Sequence, residues 1–343
     1  MTDTDAVVVS PGDLAGLWSL ARPGTDGPVV LGVDLRAPAD AGAVLPDPLP
    51  DLVLVGVGPV APEHARLAAA LDLTLAPRGP AAAARWSIAV DDPPAELAEL
   101  TAAAARAPRA TTVLTDLLRW NGRLTVPAAI EVESFAYATV LAGEEFRSWL
   151  ARRGDRPEPP DVDDPVLLAR DGDTLRVTLN RPARRNAYGR LLRDALVDAL
   201  DLAVADPSVT RVLLDGAGPA FCSGGDLDEF GTAPDPVVAH LVRTRGGAAR
   251  RVHALAARTE VRVHGACVGA GVEIPALAGR VVAAPDATFR LPEIGMGLIP
   301  GAGGTVGIPR RIGRRRALYL ALSGRAVDAG TALDWGLVDR IDP

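Results

Sequence analysis

The hydrophobic positions of this chain fall into three regimes. Up to about residue 92, short apolar runs alternate with Gly and Pro breaks: PVVLGVDL near 28–35, DLVLVGVG at 51–58, LDLTL near 71–75 and WSIAV at 86–90. Runs of this length predict strands, and the piece from His64 to Leu71 predicts a helix, so residues 1–92 read as a small α/β region. From Pro93 to Arg153 the period changes. Leu97, Leu100 and Ala104, then Val113, Leu114, Leu117 and Leu118, then Val132, Phe135, Ala136, Val140, Phe146, Trp149 and Leu150 recur at spacings near three and four. That is the pattern of amphipathic helices in need of a partner surface, so the segment 93–155 does not easily form a domain by itself. RPEPPDVDDP, at 156–165, is acidic and rich in proline and reads as an extended linker.

Beyond the linker, strand and helix alternate at the period of βαβ units. LRVTLNRP, TRVLLDGAG and VRVHGACVG read as strands, with RLLRDALVDALDLAVAD and PVVAHLVRTRGGAARRVHALAAR as the helical stretches between them. VVAAPDATFRL is strand-like as well.

The candidate chemistry lies between Gly265 and Thr305, in GACVGAGVEIPALAGRVVAAPDATFRLPEIGMGLIPGAGGT. Glu273 follows Val268 and Val272 and precedes Ile274, Pro275, Ala276 and Leu277. A helix through it buries most of its surface, and a buried carboxylate is costly unless it is paired or used. Gly265, Gly269 and Gly271 break the strand before that helix and bring bare N–H groups to its start, where an anion can be held. Ala270 and Glu273, three apart, share one helical face. A second carboxylate follows in Pro292-Glu293, and PGAGG at 300–304 opens another helix. Taken singly, Glu273 reads as well as a dipole partner on its own helix, and Glu293 as a solvated loop residue. Together they are candidates for a catalytic pair.

Composition acts mainly by exclusion. A chain of 343 residues, 48% hydrophobic and 4% aromatic, is globular and soluble, with a core built from Ala, Val and Leu. Its net charge is −7 and all 36 cationic residues are arginine, so nucleic acid is not an expected partner. Cys222 and Cys267 lie in the candidate loops and read as core packing, not as nucleophiles or a disulfide framework. The start, MTDTDAVVVSPG, lacks a basic end and a long apolar run, and no stretch reaches membrane-spanning length, so the expected compartment is the cytoplasm. His64, alone in an Ala-rich helix, reads as a surface residue, and a base role for His264 is the lesser reading. With no clustered His/Cys pattern and no dinucleotide fingerprint, neither a metal nor a redox cofactor is expected.

These residues resemble the core of the crotonase superfamily, the enoyl-CoA hydratases and isomerases. The G-A-G-x-E turn, Pro292-Glu293 and I-P-G-A-G-G-T stand in register with that family. AFCSGGDLDEF at 220–230 resembles its first oxyanion-hole loop, and LNRPARRNA at 179–187 its opening strand and CoA-contacting turn. The resemblance implies a crotonase-like ββα spiral core of α/β class over residues 166–343. RALYLALSGRAVDAGTALDWGLVDRIDP resembles the family's helix pair and final core strand, after which a typical member continues into helices that close the active site and join the oligomer. Those helices are expected here from the other side. Residues 93–155 follow WSIAVDDPP much as the family's terminal helices follow an ending like GLVDRIDP. On that view residues 1–92 are an eroded crotonase-like core without its glutamates; the alternative is an unrelated N-terminal domain.

The resemblance further implies an acyl-CoA substrate, with coenzyme A present only as part of it, and trimers or hexamers. It assigns the oxyanion-hole donors to the N–H groups of Gly225 and Ala270. Glu273 would hold and deprotonate water and Glu293 deliver the proton to the α-carbon, or the two would exchange or share those roles. Arg185, Ala187, Ser223, Asp226, Leu227, Gly269, Gly301 and Gly303 are the candidate substrate-binding positions. Arg185 would meet a CoA phosphate, with solvation as the plainer reading; Asp226 would shape its loop or cap a helix; and Gly303 would open a helix toward the pocket or simply make a tight turn. The glutamate pair favours hydration of an enoyl-CoA, an EC 4.2.1-type lyase. Double-bond isomerisation, thioester hydrolysis and a non-catalytic acyl-CoA-binding partner subunit are the alternatives. The superfamily's cofactor-free oxygenases are disfavoured because their sites lack this pair.

Overall fold

The computed structural model describes residues 6–19, 27–38, 45, 51–79, 87–154, 156–157, 160, 163–233 and 235–342. Residues 158–159 and 161–162 of the expected linker lie outside the described residues.

The first part of the chain builds a five-stranded sheet. β1 (Val7–Val9), β2 (Val30–Asp34), β3 (Val53–Val57), β4 (Leu73–Pro77) and β5 (Ser87–Val90) pair in sequence order and all in parallel, with α1 (Ala65–Ala70) between β3 and β4. Strands covered on both faces read as continuous Val/Leu runs. Val53, Val55 and Val57 join the main core of the molecule, while Leu31, Val33, Leu52 and Leu54 form a second cluster with Leu71. His64 is buried and not a surface residue, and neither ring nitrogen has a partner among the described residues. The helix starts only at Ala65, and His64 ends the 3-10 turn before it, so this histidine is not the member of an Ala-rich helix that the sequence suggested.

Four helices follow: α2 (Pro93–Arg106), α3 (Pro108–Asn121), α4 (Val126–Leu141) and α5 (Glu144–Arg153). Proline in the first turn suits the first three, because the N–H it lacks would have no helical partner there. Leu97, Leu100, Leu114, Leu117 and Leu118 are buried as their spacing predicts. Phe135 is not. It is 59% exposed and stacks on His240, with ring centroids 4.2 Å apart. The covered face of α4 runs instead through Ala129, Ile130, Glu133, Ser134 and Val140, so a polar pair replaces the apolar residues that hydropathy selects.

The remaining chain is a second α/β unit. Its elements are β6 (Val166–Asp171), β7 (Thr174–Leu179), α6 (Arg190–Ala205), β8 (Arg211–Gly216), α7 (Pro236–Arg245), α8 (Ala249–Ala254), β9 (Thr259–Val263), β10 (Ala266–Val268), α9 (Ala270–Glu273), β11 (Arg280–Ala283), β12 (Thr288–Arg290), α10 (Gly304–Ile312), α11 (Arg314–Ser323), β13 (Val327–Asp328), α12 (Ala329–Trp335) and β14 (Arg340–Ile341). Six strands in the order β14-β11-β9-β8-β7-β6 form one sheet, parallel except at β6/β7, and β10-β12-β13 form another. β6 was not among the predicted strands, being an edge strand with mostly exposed side chains and hence no burial signal. VRVHGACVG is two strands in different sheets. Gly265 turns the chain between them at φ +55°, where a β-carbon would lie 2.2 Å from the Pro219 carbonyl. VVAAPDATFRL divides in the same way into β11 and β12.

The two units share one core and a buried ionic junction. Asp72, at the end of α1 and wholly buried, accepts from Arg119 of α3 at 2.6 Å, from Arg314 of α11 at 3.1 Å and from the Leu54 amide at 2.9 Å. Asn121 of α3 donates to the Thr305 carbonyl at 3.1 Å, and Arg310 of α10 to the Leu124 carbonyl at 2.8 Å. α3 and α4 are thereby fastened over the start of α10.

Candidate active site

Two loops from different strands meet above the six-stranded sheet. The first follows β8 and is pinned by Asn186, whose Nδ2 donates to the carbonyls of Ala217, Ala220 and Phe221 at 2.9–3.1 Å. It carries Gly225. The second follows β10, where Gly269 at φ +48° turns the chain into the four-residue helix α9. Ala270 is the first residue of that helix, and such an N–H has no intrahelical acceptor. Neither the Gly225 nor the Ala270 N–H donates to another group among the described residues, and both residues line one cavity of about 620 Å³.

Glu273 and Glu293 line the same cavity and are both buried. Glu273 Oε2 accepts the Ala302 N–H at 2.7 Å and the Gly304 N–H at 3.0 Å. Glu293 Oε2, buried in the 3-10 turn after Pro292, accepts no hydrogen bond among the described residues. The gap between the carboxylates is kept open by Gly269, where a β-carbon would sit 2.5 Å from Glu293 Oε1 and 3.8 Å from Glu273 Oε1. Burial raises the proton affinity of both, pushing Glu293 up to about 7, and the charge of Glu293 raises Glu273 further. Against this, the two amides on Glu273 favour its anionic form, whereas the bare oxygen of Glu293 suits a group that keeps its proton.

A third carboxylate reaches the site from α4. Glu133 Oε1 accepts the Gly303 N–H at 2.7 Å, and Oε2 accepts the Thr305 N–H at 2.8 Å and the Thr305 hydroxyl at 2.7 Å. Burial pushes Glu133 up to about 7, opposed by these donors and by Arg243. Beside it, Tyr137 packs against Gly301, and the Arg243 guanidinium of α7 lies 4.3 Å from the Tyr137 ring centroid. Burial raises the phenol's proton affinity, and the charges of Glu273 and Glu293 raise it further. Glu133, Tyr137 and Arg243 were not candidates from the sequence. The one available signal was that Ile130, Glu133 and Tyr137 follow each other at helical spacing.

Of the candidate positions, Glu273, Glu293, Gly225, Ala270, Asp226, Gly301 and Gly303 line the cavity, whereas Arg185, Ala187, Ser223, Leu227 and Gly269 do not. Asp226 is buried and occupied by Arg184 at 2.6 Å and Arg181 at 3.4 Å. The Gly303 N–H is likewise taken, by Glu133. Ser223 donates its amide to the Arg185 carbonyl at 2.9 Å and thereby ties the first loop to the turn after β7. His264 makes a 2.9 Å contact from Nε2 to the Gly218 carbonyl. Cys222 and Cys267 are buried free thiols, and burial pushes Cys222 up to about 12.

The family profile described as enoyl-CoA hydratase/isomerase matches residues 170–343. Over about half of its length the chain is 37% identical to a 2,3-dehydroadipyl-CoA hydratase of Escherichia coli, covering 52% of this chain and 69% of the relative. It is 36% identical to a mevalonyl-coenzyme A hydratase of Beauveria bassiana, with 54% and 69% covered. A 1,2-epoxyphenylacetyl-CoA isomerase of Escherichia coli is also 36% identical, with 51% and 69% covered. Among solved structures, an enoyl-CoA hydratase of Mycobacterium smegmatis superposes with a TM-score of 0.49 at 32% identity, covering 52% of this chain and 70% of that one. No helix among the described residues is long and apolar enough to cross a membrane. The chain belongs to the enoyl-CoA hydratase/isomerase family, through its residues 170–343.

Proposed function

We propose that the chain is an enoyl-CoA hydratase-type lyase that adds water across the α,β double bond of a CoA thioester, or removes it. The observation that carries this is the cavity in which Glu273 and Glu293 face each other across Gly269 beside two uncommitted amides. The thioester oxygen accepts from the N–H groups of Gly225 and Ala270, which stabilise it more strongly as it gains negative charge; one such donor is worth roughly 3–4 kcal/mol. Glu273, held as an anion by Ala302 and Gly304, takes a proton from water with its free Oε1. The hydroxide oxygen bonds to the β-carbon, the π electrons move into the enolate, and the proton on Glu293 passes to the α-carbon. The proton on Glu273 is then returned to Glu293 through the next water. No electrons leave or enter, so the reaction asks for no redox cofactor, and in this scheme the amides of Gly225 and Ala270 take the part that a Lewis acid could otherwise play.

The helices α2–α5 take the part of a cover in this proposal. α4 lines the cavity with Ile130, Glu133 and Tyr137, and α5 reaches the first loop through Arg153, which pairs with Asp228 at 2.7 Å. The sequential, all-parallel order β1 to β5 parallels that of β7, β8, β9, β11 and β14, and in that comparison α2–α5 follow β5 as terminal helices would follow β14. That correspondence supports the eroded-duplicate origin of residues 1–92. A cytoplasmic trimer or hexamer goes with the same proposal, and sedimentation of the purified chain tests the assembly. The activity is tested by loss of the enoyl-thioester absorbance of crotonyl-CoA and of longer or branched enoyl-CoAs. Turnover of none of them, by protein that is folded, would overturn it.

A further inference from the structure

The wall of the cavity formed by α4 and α7 holds two donors that the protein does not use. Arg243 spends Nε and Nη2 on the hydroxyl and carbonyl of Ser134, at 3.1 and 3.3 Å, and its Nη1 has no partner among the described residues. The Tyr137 hydroxyl, below it on α4, has none either. Both side chains line the cavity. Among the other half-buried arginines, Arg153 and Arg184 are ion-paired with Asp228 and Asp226, whereas Arg258 and Arg315 donate to backbone carbonyls only; Arg243 differs from these in facing the cavity. Arg243 makes no ion pair with any described carboxylate, although burial works against its charge. A cation withdrawn from water needs a partner. Glu133 is near, but its oxygens already accept three hydrogen bonds from Gly303 and Thr305.

The position of the two donors indicates which part of a substrate they meet. The thioester oxygen belongs between Gly225 and Ala270, and the reacting carbons between Glu273 and Glu293. Ala302, whose amide holds Glu273, adjoins Gly301, on which the Tyr137 ring rests. Tyr137 stands within electrostatic reach of both glutamates. The pair Tyr137–Arg243 stands on the α4–α7 wall of the same cavity as the glutamates, where an acyl chain leaving the reacting carbons can reach it. Ile130, Leu141 and Val242 supply apolar wall around it.

We propose that Arg243 and Tyr137 form a subsite for a carboxylate at the far end of the acyl chain, so that the preferred substrate is an enoyl-CoA carrying a distal carboxylate. A carboxylate offers one oxygen to Arg243 Nη1 and another to the Tyr137 hydroxyl, satisfying both donors and the charge together. The proposal rests on the acyl-CoA reading of the cavity but not on turnover, so it is tested by binding. Calorimetry would compare saturated acyl-CoA thioesters of graded length, each with and without a terminal carboxylate, on wild type, Arg243→Leu and Tyr137→Phe. At the best length the carboxylate should tighten binding to wild type by about ten- to a hundredfold, as for a hydrogen bond to a charged group. That ratio should fall to near one in Arg243→Leu and partway in Tyr137→Phe. Equal affinity for the two series in wild type would overturn the subsite, as would a preference that survives both substitutions. Binding of both series without turnover of any enoyl-CoA would sink the hydratase reading and leave the subsite to be judged on the ratio alone. Binding of neither would contradict both.

Discussion

Glu133 and Glu273 divide the first turn of α10 between them by alternation: the amides of Ala302 and Gly304 donate to Glu273, and those of Gly303 and Thr305 to Glu133. The two carboxylates come from different halves of the chain, and each fixes the loop that holds the other. Substituting Glu133 by Gln puts N–H groups against N–H groups, and the loop must shift. A displacement of this kind costs roughly tenfold to a hundredfold in rate. Glu133→Gln is thus expected to lower kcat more than it raises KM. Because the charge of Glu133 raises the proton affinity of Glu273, its removal should also move the acid limb of the kcat/KM–pH profile to lower pH. The other charged or titratable groups facing this cluster are Glu293, Tyr137 and Arg243. An unchanged profile with an unchanged kcat would make Glu133 a bystander.

Gly269 has no room for a side chain. Its φ of +48° is strained for any other residue, and a methyl group there would press on Glu293 Oε1 at 2.5 Å and displace that carboxylate. Gly269→Ala should abolish hydration while the protein still binds a saturated acyl-CoA, a contrast read by pairing the absorbance assay with calorimetry.

The Asp72 junction ties the N-terminal sheet to the family core. Its removal leaves Arg119 and Arg314 without their shared buried carboxylate, a change that costs about 3–5 kcal/mol. Urea denaturation of Asp72→Ala should show a loss of that size; a loss below about 1 kcal/mol, typical of a surface pair, would contradict it.

Stability should also respond to the buried glutamates. Glu293 in the folded protein is raised from 4.5 to about 7, so between those values the native state holds a proton that the unfolded chain releases. Its contribution is complete below the unfolded value and is lost as pH rises through the folded one. Denaturation midpoints at about pH 5 and about pH 8 should therefore fall more steeply for wild type than for Glu293→Gln, which cannot titrate. Parallel slopes would contradict the assignment.

The reach of the sequence can be judged from particular residues. Glu273 stood out as a carboxylate in apolar company, and Glu293, Gly225 and Ala270 were singled out with it through motifs that resemble the family's; the structure brings all four to one cavity. The strands β2 to β5 were legible as continuous Val/Leu runs between breaks. Glu133, Tyr137 and Arg243 were hidden because their roles depend on how α4 crosses α7 and α10, a long-range relation. Hydropathy then misled. The face of α4 that meets the site carries Glu133 and Ser134 between Ile130 and Leu141, so the largest apolar side chain of that helix, Phe135, was placed inside although it stands outside on His240. His64 failed because a lone histidine beside an Ala-rich stretch carries no signal of burial.

The central claim is that two carboxylates share the proton work of hydration, and single glutamine substitutions test it most directly. With an enoyl-CoA that wild type hydrates, Glu273→Gln and Glu293→Gln should each lower kcat by about a hundredfold or more, in line with general acid–base contributions. Acyl-CoA affinity should change far less. If either variant retains near wild-type turnover, the two-glutamate mechanism is wrong.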